Sequence, residues 1–398
     1  MNVIIVVGST LAQLTNGHMN HQQSHRLLTS AKRVVIKLGT STVTGAEGEL
    51  FLERIAPIVQ AIANLQTSHR QVVLVSSGAV GLGRGWLGLH PSRLKQMATR
   101  QACAAVGQSL LMEAYKRLFG AYDVKIAQVL LTEEDFSNWQ RYSNMRRTME
   151  KLIGFGVLPI VNENDTVSTA ELETVRDGSH SAAFSDNDRL AALVMSGLEA
   201  DALIILTNVD GLLSGQSASK QKPADSGSRS KVIATVARVT PELKALARGP
   251  SESGRGGMVT KLEAAEIAMN CGGVAVIANG RRAETLPRIF AGEPEGTVFL
   301  PSNRMKGKRR WLAYAAGVRG RVVVDEGAQH AVTHGKASLL SSGLVRIERP
   351  FGPMDVVSIA NVAGKEFARG IANCGSETAA TACVLFTRAN IVLMERET

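Results

Sequence analysis

The chain has 398 residues, of which 44% are hydrophobic and 20% are charged, and its formal net charge is +10. This length predicts more than one domain, and the balance of apolar and charged residues excludes a wholly disordered chain. No apolar run approaches the roughly 18 residues that cross a bilayer, so no membrane partner is expected. The positive charge suits anionic ligands, but it does not separate nucleotides from nucleic acid.

The four cysteines stand singly along the chain and near no histidine cluster. This usage predicts reduced thiols in a cytoplasmic protein and no metal site built from protein side chains. Residues 1–30 are rich in Asn, Gln, His and Ser, and the first acidic residue is Glu47. We expect a poorly ordered N-terminal extension over 1–30, with an organelle-targeting signal as the alternative.

Strand-like apolar runs alternate with helix-period segments from residue 33 onward. The runs are VVIKL (34–38), VVLVS (72–76), KIAQVLL (125–131), VLPIV (157–161), ALIIL (202–206) and VAVIA (274–278). Helical periodicity covers 52–66, 91–119, 137–153, 187–197 and 258–270. Apolar strands separated by amphipathic helices predict an α/β domain over 31–300, a three-layer αβα sandwich around a mostly parallel sheet. Ligands of such sheets bind beyond the carboxyl ends of the strands.

Two stretches interrupt this pattern before the composition changes. Residues 214–231 are rich in Ser, Lys and Gly and predict an exposed loop, and SNRMKGKRR (302–310) predicts a basic linker over 301–316. Beyond it, short alternating segments with glycine-containing turns predict a small β-barrel-like or sandwich domain over 317–398. We expect one short helix in it, near 375–382.

Several loops that follow the predicted strands carry groups suited to phosphate. There is no P-loop motif. KLGTS (37–41) places Lys37 and Gly39 after the first strand, where a point charge and open backbone N–H groups suit a phosphate. SSGAVGLG (76–83) places Ser77 and Gly78 before a helix start, another anion-binding arrangement. A lysine extending from a strand end and a plain strand–helix turn are the structural alternatives.

Acids and amides follow two further segments. NENDTVST (162–169) offers Asn162 and Asp165 as acceptors for an ammonium group, with an Asx-rich turn as the alternative. In FSDNDRLAALV (184–194), one acid is explained by helix capping. The presence of Asn187 and Asp188 together leaves room for a carboxylate that orients lysines or a magnesium-bound nucleotide.

A glycine-rich loop enters a helix at GRGGMVTKLEAAEIA (254–268), where Thr260 and Lys261 fall in the first turn. N–H groups and a lysine at such a position suit a phosphate. LTNVDGL (206–212) ends another strand with Thr207 and Asn208, a plausible contact on the adenosine side.

These segments, with AAVGQSLL (104–111) and the tail from Gly320, resemble the amino acid kinase family in their order along 31–398. Within it they are similar to members that phosphorylate the side-chain carboxylate of glutamate, the first step of proline biosynthesis. The tail looks like a PUA domain. The resemblance implies ATP as co-substrate with Mg²⁺, L-glutamate as substrate and proline as inhibitor. It also implies a homo-oligomer, either a dimer or a tetramer, and handover of the product to glutamyl phosphate reductase.

The resemblance also implies roles for single residues. Lys37 and Lys261 act on the transferred phosphoryl group, and Asp188 orients them. The glutamate site comprises Ser77, Gly78, Asn162, Asp165 and Asn187. The ATP site comprises Lys37, Gly39, Thr207, Asn208, Arg255, Gly256, Gly257, Met258, Val259, Thr260 and Lys261.

Three features depart from the family pattern. Asn208 stands where an aspartate is frequent, and Arg255 stands where a small polar residue is frequent. Residues 171–184 resemble an extended form of the inhibitor-sensing loop.

Two rival functions stay open. One is a sister kinase acting on aspartate, acetylglutamate or another acid, and the other is an RNA-binding regulatory protein that uses the PUA-like tail.

Overall fold

The computed structural model describes residues 17–137, 139–167, 187–214, 231–247, 257–302, 307–315, 317–379, 381 and 384–394. The chain divides into two compact units. The first comprises Met1–Glu133 with Met145–Arg304, and the second comprises Glu134–Asn144 with Met305–Thr398. Across the described residues, no helix is both long and apolar enough to span a membrane.

An eight-stranded sheet forms the centre of the first unit. Its strands are β1 (Arg33–Leu38), β2 (Gln71–Ser76), β3 (Ile126–Leu131), β4 (Leu158–Glu163), β5 (Ala202–Thr207), β6 (Thr235–Val236), β7 (Val274–Asn279) and β8 (Thr297–Phe299). The strand order is β3-β4-β2-β1-β5-β7-β8-β6, and every neighbouring pair is parallel except β7 and β8. The predicted mostly parallel sheet is confirmed.

Alternation along the strands divides the apolar core between the two faces of this sheet. Val34, Ile36 and Leu38 of β1 belong to a core cluster that also takes in side chains from helices on that face. Those helices include α1 (Gly17–Ser30), α3 (Leu52–Thr67), α5 (Met97–Gly120) and α11 (Thr285–Ala291). Helices α8 (Asn187–Leu198) and α10 (Met258–Asn270) contribute nothing to that cluster and pack on β1, β5 and β7. The predicted three-layer sandwich is confirmed.

The remaining helices of the first part of the chain are α2 (Thr40–Val43), α4 (Ala79–Trp86), α6 (Glu133–Ser137), α7 (Trp139–Gly154) and α9 (Pro241–Leu246). The single helix predicted over 91–119 is divided, because a 3₁₀ turn over Pro91–Lys95 precedes α5. Proline fits the first helical position, where its missing N–H costs no hydrogen bond. Of the loop predicted at 214–231, residues 215–230 lie outside the described residues.

The N-terminal segment differs from the expectation. Gly17–Ser30 is the helix α1, and its Leu28, 3% exposed, joins the core cluster. A poorly ordered extension through residue 30 is therefore wrong for Gly17–Ser30, since this helix buries an apolar side chain against the sheet. Residues 1–16 lie outside the described part.

Two sheets form the second unit. A five-stranded sheet has the order β11-β9-β12-β13-β15, and β10 pairs with β14 in a separate two-stranded sheet. The strands are β9 (Gly320–Val324), β10 (Leu339–Leu340), β11 (Leu344–Arg349), β12 (Val356–Ala360), β13 (Glu366–Ile371), β14 (Val384–Phe386) and β15 (Ile391–Leu393). The predicted second domain rich in strands is confirmed.

The short helix of this unit lies elsewhere than predicted. It is α13 (Glu326–Thr333), capped by Asp325, whose Oδ1 accepts a hydrogen bond from the Ala328 N–H at 2.7 Å. The prediction near 375–382 is wrong over its described residues, where Thr378 N donates to Gly375 O in a turn. The sequence signal for the observed helix is Asp325, an aspartate in the capping position directly before it.

The stretch predicted as a basic linker is packed where it is described. Residues 307–315 form helix α12 (Gly307–Arg310) and a π-helical turn over Trp311–Ala315. Trp311 is 3% exposed, and its Nε1 donates to the Phe136 carbonyl at 2.7 Å. The Glu134–Asn144 segment thus belongs to the second unit, which the predicted domain boundaries did not include.

Candidate active site

Three charged side chains meet at the carboxyl edge of the first sheet. Lys37 lies in β1, Asp188 in the first turn of α8 and Lys261 in the first turn of α10. The Lys37 Nζ lies 2.6 Å from Asp188 Oδ1, and the Lys261 Nζ lies 2.9 Å from Asp188 Oδ2. One carboxylate therefore holds two ammonium groups side by side.

Burial strengthens the electrostatic effect of this cluster on a nearby ligand. The side chains of Lys37 and Lys261 are 3% and 8% exposed, and that of Asp188 is fully buried. Two ammonium groups and one carboxylate leave a net charge of about +1 in a region of low dielectric, where an anion is attracted far more strongly than in water. The cluster is suited to a phosphoryl group.

The start of α10 adds an anion-binding element. Gly257 is its N-cap, no side chain caps it, and its first turn carries no acid. The Thr260 hydroxyl donates to the Gly257 carbonyl at 2.9 Å. Uncapped N–H groups at the positive end of a 13-residue helix are a binding site for phosphate. Met258 and Val259 supply backbone to this turn.

The neighbouring strand ends carry the other predicted nucleotide residues. The Gly39 N–H donates to the Leu206 carbonyl at 3.2 Å, which joins the loop after β1 to the end of β5. Thr207 is buried, and its hydroxyl lies 3.3 Å from Asn208 Oδ1. Asn208 is exposed. Arg255 and Gly256 lie outside the described residues.

A row of polar side chains lies at the ends of β2 and β4. Asn187 Nδ2 donates to Ser77 Oγ and to Asn162 Oδ1, both at 2.8 Å. Asn162 Nδ2 in turn donates to Gln108 Oε1 of α5 at 2.9 Å. Three residues predicted for glutamate are thus in one network with Gln108, which sequence reasoning did not assign a role.

Gly78 and Asp165 complete the predicted glutamate residues. Gly78 has φ of +112°, the left-handed region, and a Cβ there would lie 2.8 Å from the Val43 side chain. Only glycine fits this turn between β2 and α4 without strain. Asp165 lies half-buried in the turn that follows β4. The roles assigned to these residues stay predictions.

Helix α5 is also attached to the end of β2. The Tyr115 hydroxyl and Ser76 Oγ, both buried, lie 2.7 Å apart, and burial raises the pKa of the Tyr115 phenol. Tyr115 therefore stays neutral at physiological pH and holds the end of β2, directly before Ser77. Neither Tyr115 nor Gln108 was found from the sequence, although Gln108 stands in the segment AAVGQSLL that carried part of the resemblance.

The described residues do not offer a protein-built magnesium site. They contain no group of three or more His, Cys, Asp or Glu that could hold a metal. Asp188 is the carboxylate of the lysine cluster, and both of its oxygens are already paired with lysines. Magnesium would be held mainly by the nucleotide phosphates, as is usual in kinases, and would offset part of their charge.

Comparison with known proteins gives the family. Residues 32–279 match the amino acid kinase family, and residues 320–389 match the PUA domain. A glutamate 5-kinase of Caldanaerobacter subterraneus subsp. tengcongensis is 44% identical over 87% of this chain and 88% of its own length. Two other glutamate 5-kinases are also similar. That of Moorella thermoacetica is 41% identical over 89% of this chain and 90% of its own length, and that of Myxococcus xanthus is 42% identical over 87% of this chain and 87% of its own length.

The chain belongs to the glutamate 5-kinase branch of the amino acid kinase family. It is a kinase, as the sequence predicted. The solved structure of a UMP kinase from Bacillus anthracis aligns with 69% of this chain and over 97% of its own length. The sequence identity is 14% and the TM-score is 0.45. The kinase match lies within the first unit except for Glu134–Asn144, and the PUA match lies within the second.

Proposed function

We propose that this chain transfers the γ-phosphoryl group of ATP to the side-chain carboxylate of L-glutamate, giving L-glutamyl 5-phosphate and ADP in the first step of proline biosynthesis. The observation that carries the proposal is the buried Lys37–Asp188–Lys261 cluster, next to the amide row at the ends of β2 and β4. The likeness to glutamate 5-kinases over nearly nine-tenths of the chain supports the same substrate.

The nucleophile is the substrate itself. A glutamate side chain has an intrinsic pKa of about 4.3, so it is ionised at neutral pH and needs no general base. One carboxylate oxygen forms a bond to the γ-phosphorus, the bond from that phosphorus to the β-bridging oxygen breaks, and ADP leaves with the electron pair. The task left to the protein is to bring one anion up to another.

The charges at the site perform that task. Lys37 and Lys261 neutralise and orient the transferred group, and Asp188 keeps both ammonium groups aimed at it. The N–H groups that begin α10 hold a phosphate of the nucleotide. Magnesium bound to the ATP phosphates supplies further neutralisation of their charge. Catalysis is thus positioning combined with electrostatic stabilisation.

The amide row and Asp165 recognise the amino acid. Both N–H groups of Asn187 are used within the protein, so its Oδ1 is left to accept from a ligand. The Ser77 hydroxyl accepts from Asn187 and keeps its proton to donate to a carboxylate. Asp165 pairs with the substrate α-ammonium. An acceptor and a donor side by side fit a molecule that carries both an ammonium and a carboxylate.

A hydroxamate assay tests the proposal. Hydroxylamine traps the acyl phosphate as a hydroxamate, which is measured as its coloured ferric complex. Product should accumulate only with ATP, Mg²⁺ and L-glutamate together. Aspartate and acetylglutamate are the comparison acids for the sister-kinase alternative. Product with either acid at a rate equal to that with glutamate, or no product with glutamate, refutes the substrate assignment.

Further features belong to the same proposal. The instability of an acyl phosphate supports its handover to glutamyl phosphate reductase. The free thiols of Cys103, Cys271 and Cys374 support a cytoplasmic location. Inhibition by proline rests on the family resemblance of residues 171–184, which lie outside the described residues. A dimeric or tetrameric state stays a prediction that sedimentation would test.

The RNA-binding alternative rests on the PUA match and on the basic residues of 304–310. The buried cluster of two lysines and one aspartate favours catalysis, because a ligand sensor has no need of two desolvated ammonium groups. RNA affinity that survives physiological salt in a filter-binding assay would revive the alternative.

A further inference from the structure

We infer that Gln108 is a positioning residue that fixes the donor and acceptor polarity of the glutamate pocket. This inference rests on the proposed function and adds a residue to it. Gln108 lies on α5, outside every loop from which the sequence motifs drew the site. Among the residues that the structure describes, its side chain is linked to the pocket through Asn162 and Asn187.

The hydrogen bonds form a directed series. Gln108 Oε1 accepts from Asn162 Nδ2 at 2.9 Å, so the Asn162 amide must turn its oxygen toward Asn187. Asn162 Oδ1 then accepts from Asn187 Nδ2 at 2.8 Å, and the same Nδ2 donates to Ser77 Oγ at 2.8 Å. The acceptor at position 108 therefore decides which atoms Asn187 and Ser77 present to a ligand.

An amide side chain is nearly symmetric in shape, so packing alone does not choose between its two orientations. If Asn162 turned over, its Nδ2 would face Asn187, and Asn187 would have to turn as well. The pocket would then present an N–H donor where the substrate ammonium requires an acceptor. Leaving a buried donor without an acceptor is unfavourable, so the acceptor at position 108 disfavours the turned-over arrangement of Asn162.

Packing holds Gln108 within reach of Asn162, and its oxygen is the end of the amide that faces Asn162. Gln108 is 8% exposed, and its Nε2 is buried without a partner among the residues that the structure describes. The neighbouring Gly107 packs so closely that a Cβ there would lie 1.8 Å from the Ala79 carbonyl. Tyr115, two turns further along α5, contacts Ser76 at 2.7 Å. The helix position is thus set by contacts independent of the ligand.

The test compares substitutions that keep or remove the acceptor. Gln108→Met has a similar volume and no acceptor, and Gln108→Asn keeps the amide but is one methylene too short to reach Asn162. Both should raise the KM for glutamate about tenfold. Turnover and the KM for ATP should stay within about twofold. Gln108→Glu keeps an oxygen that accepts from Asn162, whether ionised or protonated, and should restore most of the affinity.

The matched control is Gln101→Met, the same change on the same helix at a residue that makes none of these contacts. It should behave as wild type. A glutamate KM within twofold of wild type in Gln108→Met and Gln108→Asn, or a Gln108→Glu enzyme as impaired as Gln108→Met, would overturn the inference. Thermal unfolding of each variant separates misfolding from altered binding. If wild type itself gives no glutamate-dependent hydroxamate, the proposed function fails instead.

Discussion

The substitution Asp188→Asn removes the charge that holds two buried lysines and leaves the shape of the side chain almost unchanged. Asp188 is fully buried, and it lies 2.6 Å from the Lys37 ammonium and 2.9 Å from that of Lys261. After the change, two ammonium groups that are at most 8% exposed face a neutral amide. They repel each other without a counter-ion, so one must turn away or lose its proton.

The magnitude follows from these distances. At an effective dielectric constant of about 20, each pair is worth about 6 kcal/mol of gross attraction. Desolvation of the three buried charges offsets most of it, and breaking a buried pair from one side costs about 3–5 kcal/mol net. Because the two lysine ammonium groups would no longer point at the transferred phosphoryl group, kcat should fall by a factor of about 10²–10³, as it does when an electrostatic donor is removed.

The assay is hydroxamate formation at saturating ATP and glutamate, together with a thermal unfolding curve. The matched control is Asp201→Asn, because Asp201 is at the opposite end of the sheet, where its Oδ2 accepts from the backbone N–H groups of Lys32 and Arg33 at 2.8 and 2.9 Å. The control should lose stability and keep its turnover per folded molecule. A folded Asp188→Asn enzyme with kcat within threefold of wild type would refute the assigned role of the cluster.

Three further outcomes are expected. Asp165→Ala should raise the KM for glutamate by about tenfold or more while that for ATP stays unchanged, since a charged partner is lost only for the amino acid; equal rises would contradict this. Gly107→Ala should destabilise by about 1–3 kcal/mol in denaturant unfolding, because its Cβ would lie 1.8 Å from the Ala79 carbonyl, whereas Gly120→Ala meets open space and should be neutral. Tyr115→Phe should reduce the loss of stability above about pH 10. Burial raises the pKa of this phenol, so above that pH only the unfolded chain ionises and wild type loses up to about 1.4 kcal/mol per pH unit. Identical slopes of unfolding free energy against pH in the two proteins would contradict this.

Local pattern in the sequence determined the fold class. Five of the six apolar runs overlap buried parallel strands almost end to end, and the helix predicted over 258–270 is observed at those bounds. Continuous apolar runs report burial on both faces, and a parallel sheet brings the carboxyl ends of its strands to one edge. That geometry is why loops far apart in the sequence could be proposed as one site.

Partners across the fold were decided by the tertiary structure. Gln108 and Asn162 are 54 residues apart, and no spacing rule connects a helix interior to a strand end. The buried Leu28 and Trp311 lie in segments whose polar or basic composition suggested exposure. Composition records the average character of a segment, whereas burial of a single side chain depends on what the rest of the chain packs against it.

The carboxylate kinase site shows both contributions. Lysines, acids and glycines at strand ends could be recognised from the sequence as candidate site residues, because each residue type suits a particular ligand group. The family resemblance then gave them roles. Only the tertiary structure shows that one carboxylate holds two ammonium groups. It also places a glutamine of the supporting helix where it orients the amides. Hydrogen bonds form only at donor–acceptor distances of about 3 Å, and the attraction within an ion pair weakens as the charges move apart. Distances of that size between remote segments are set by the packing of the whole domain, not by any short stretch of sequence.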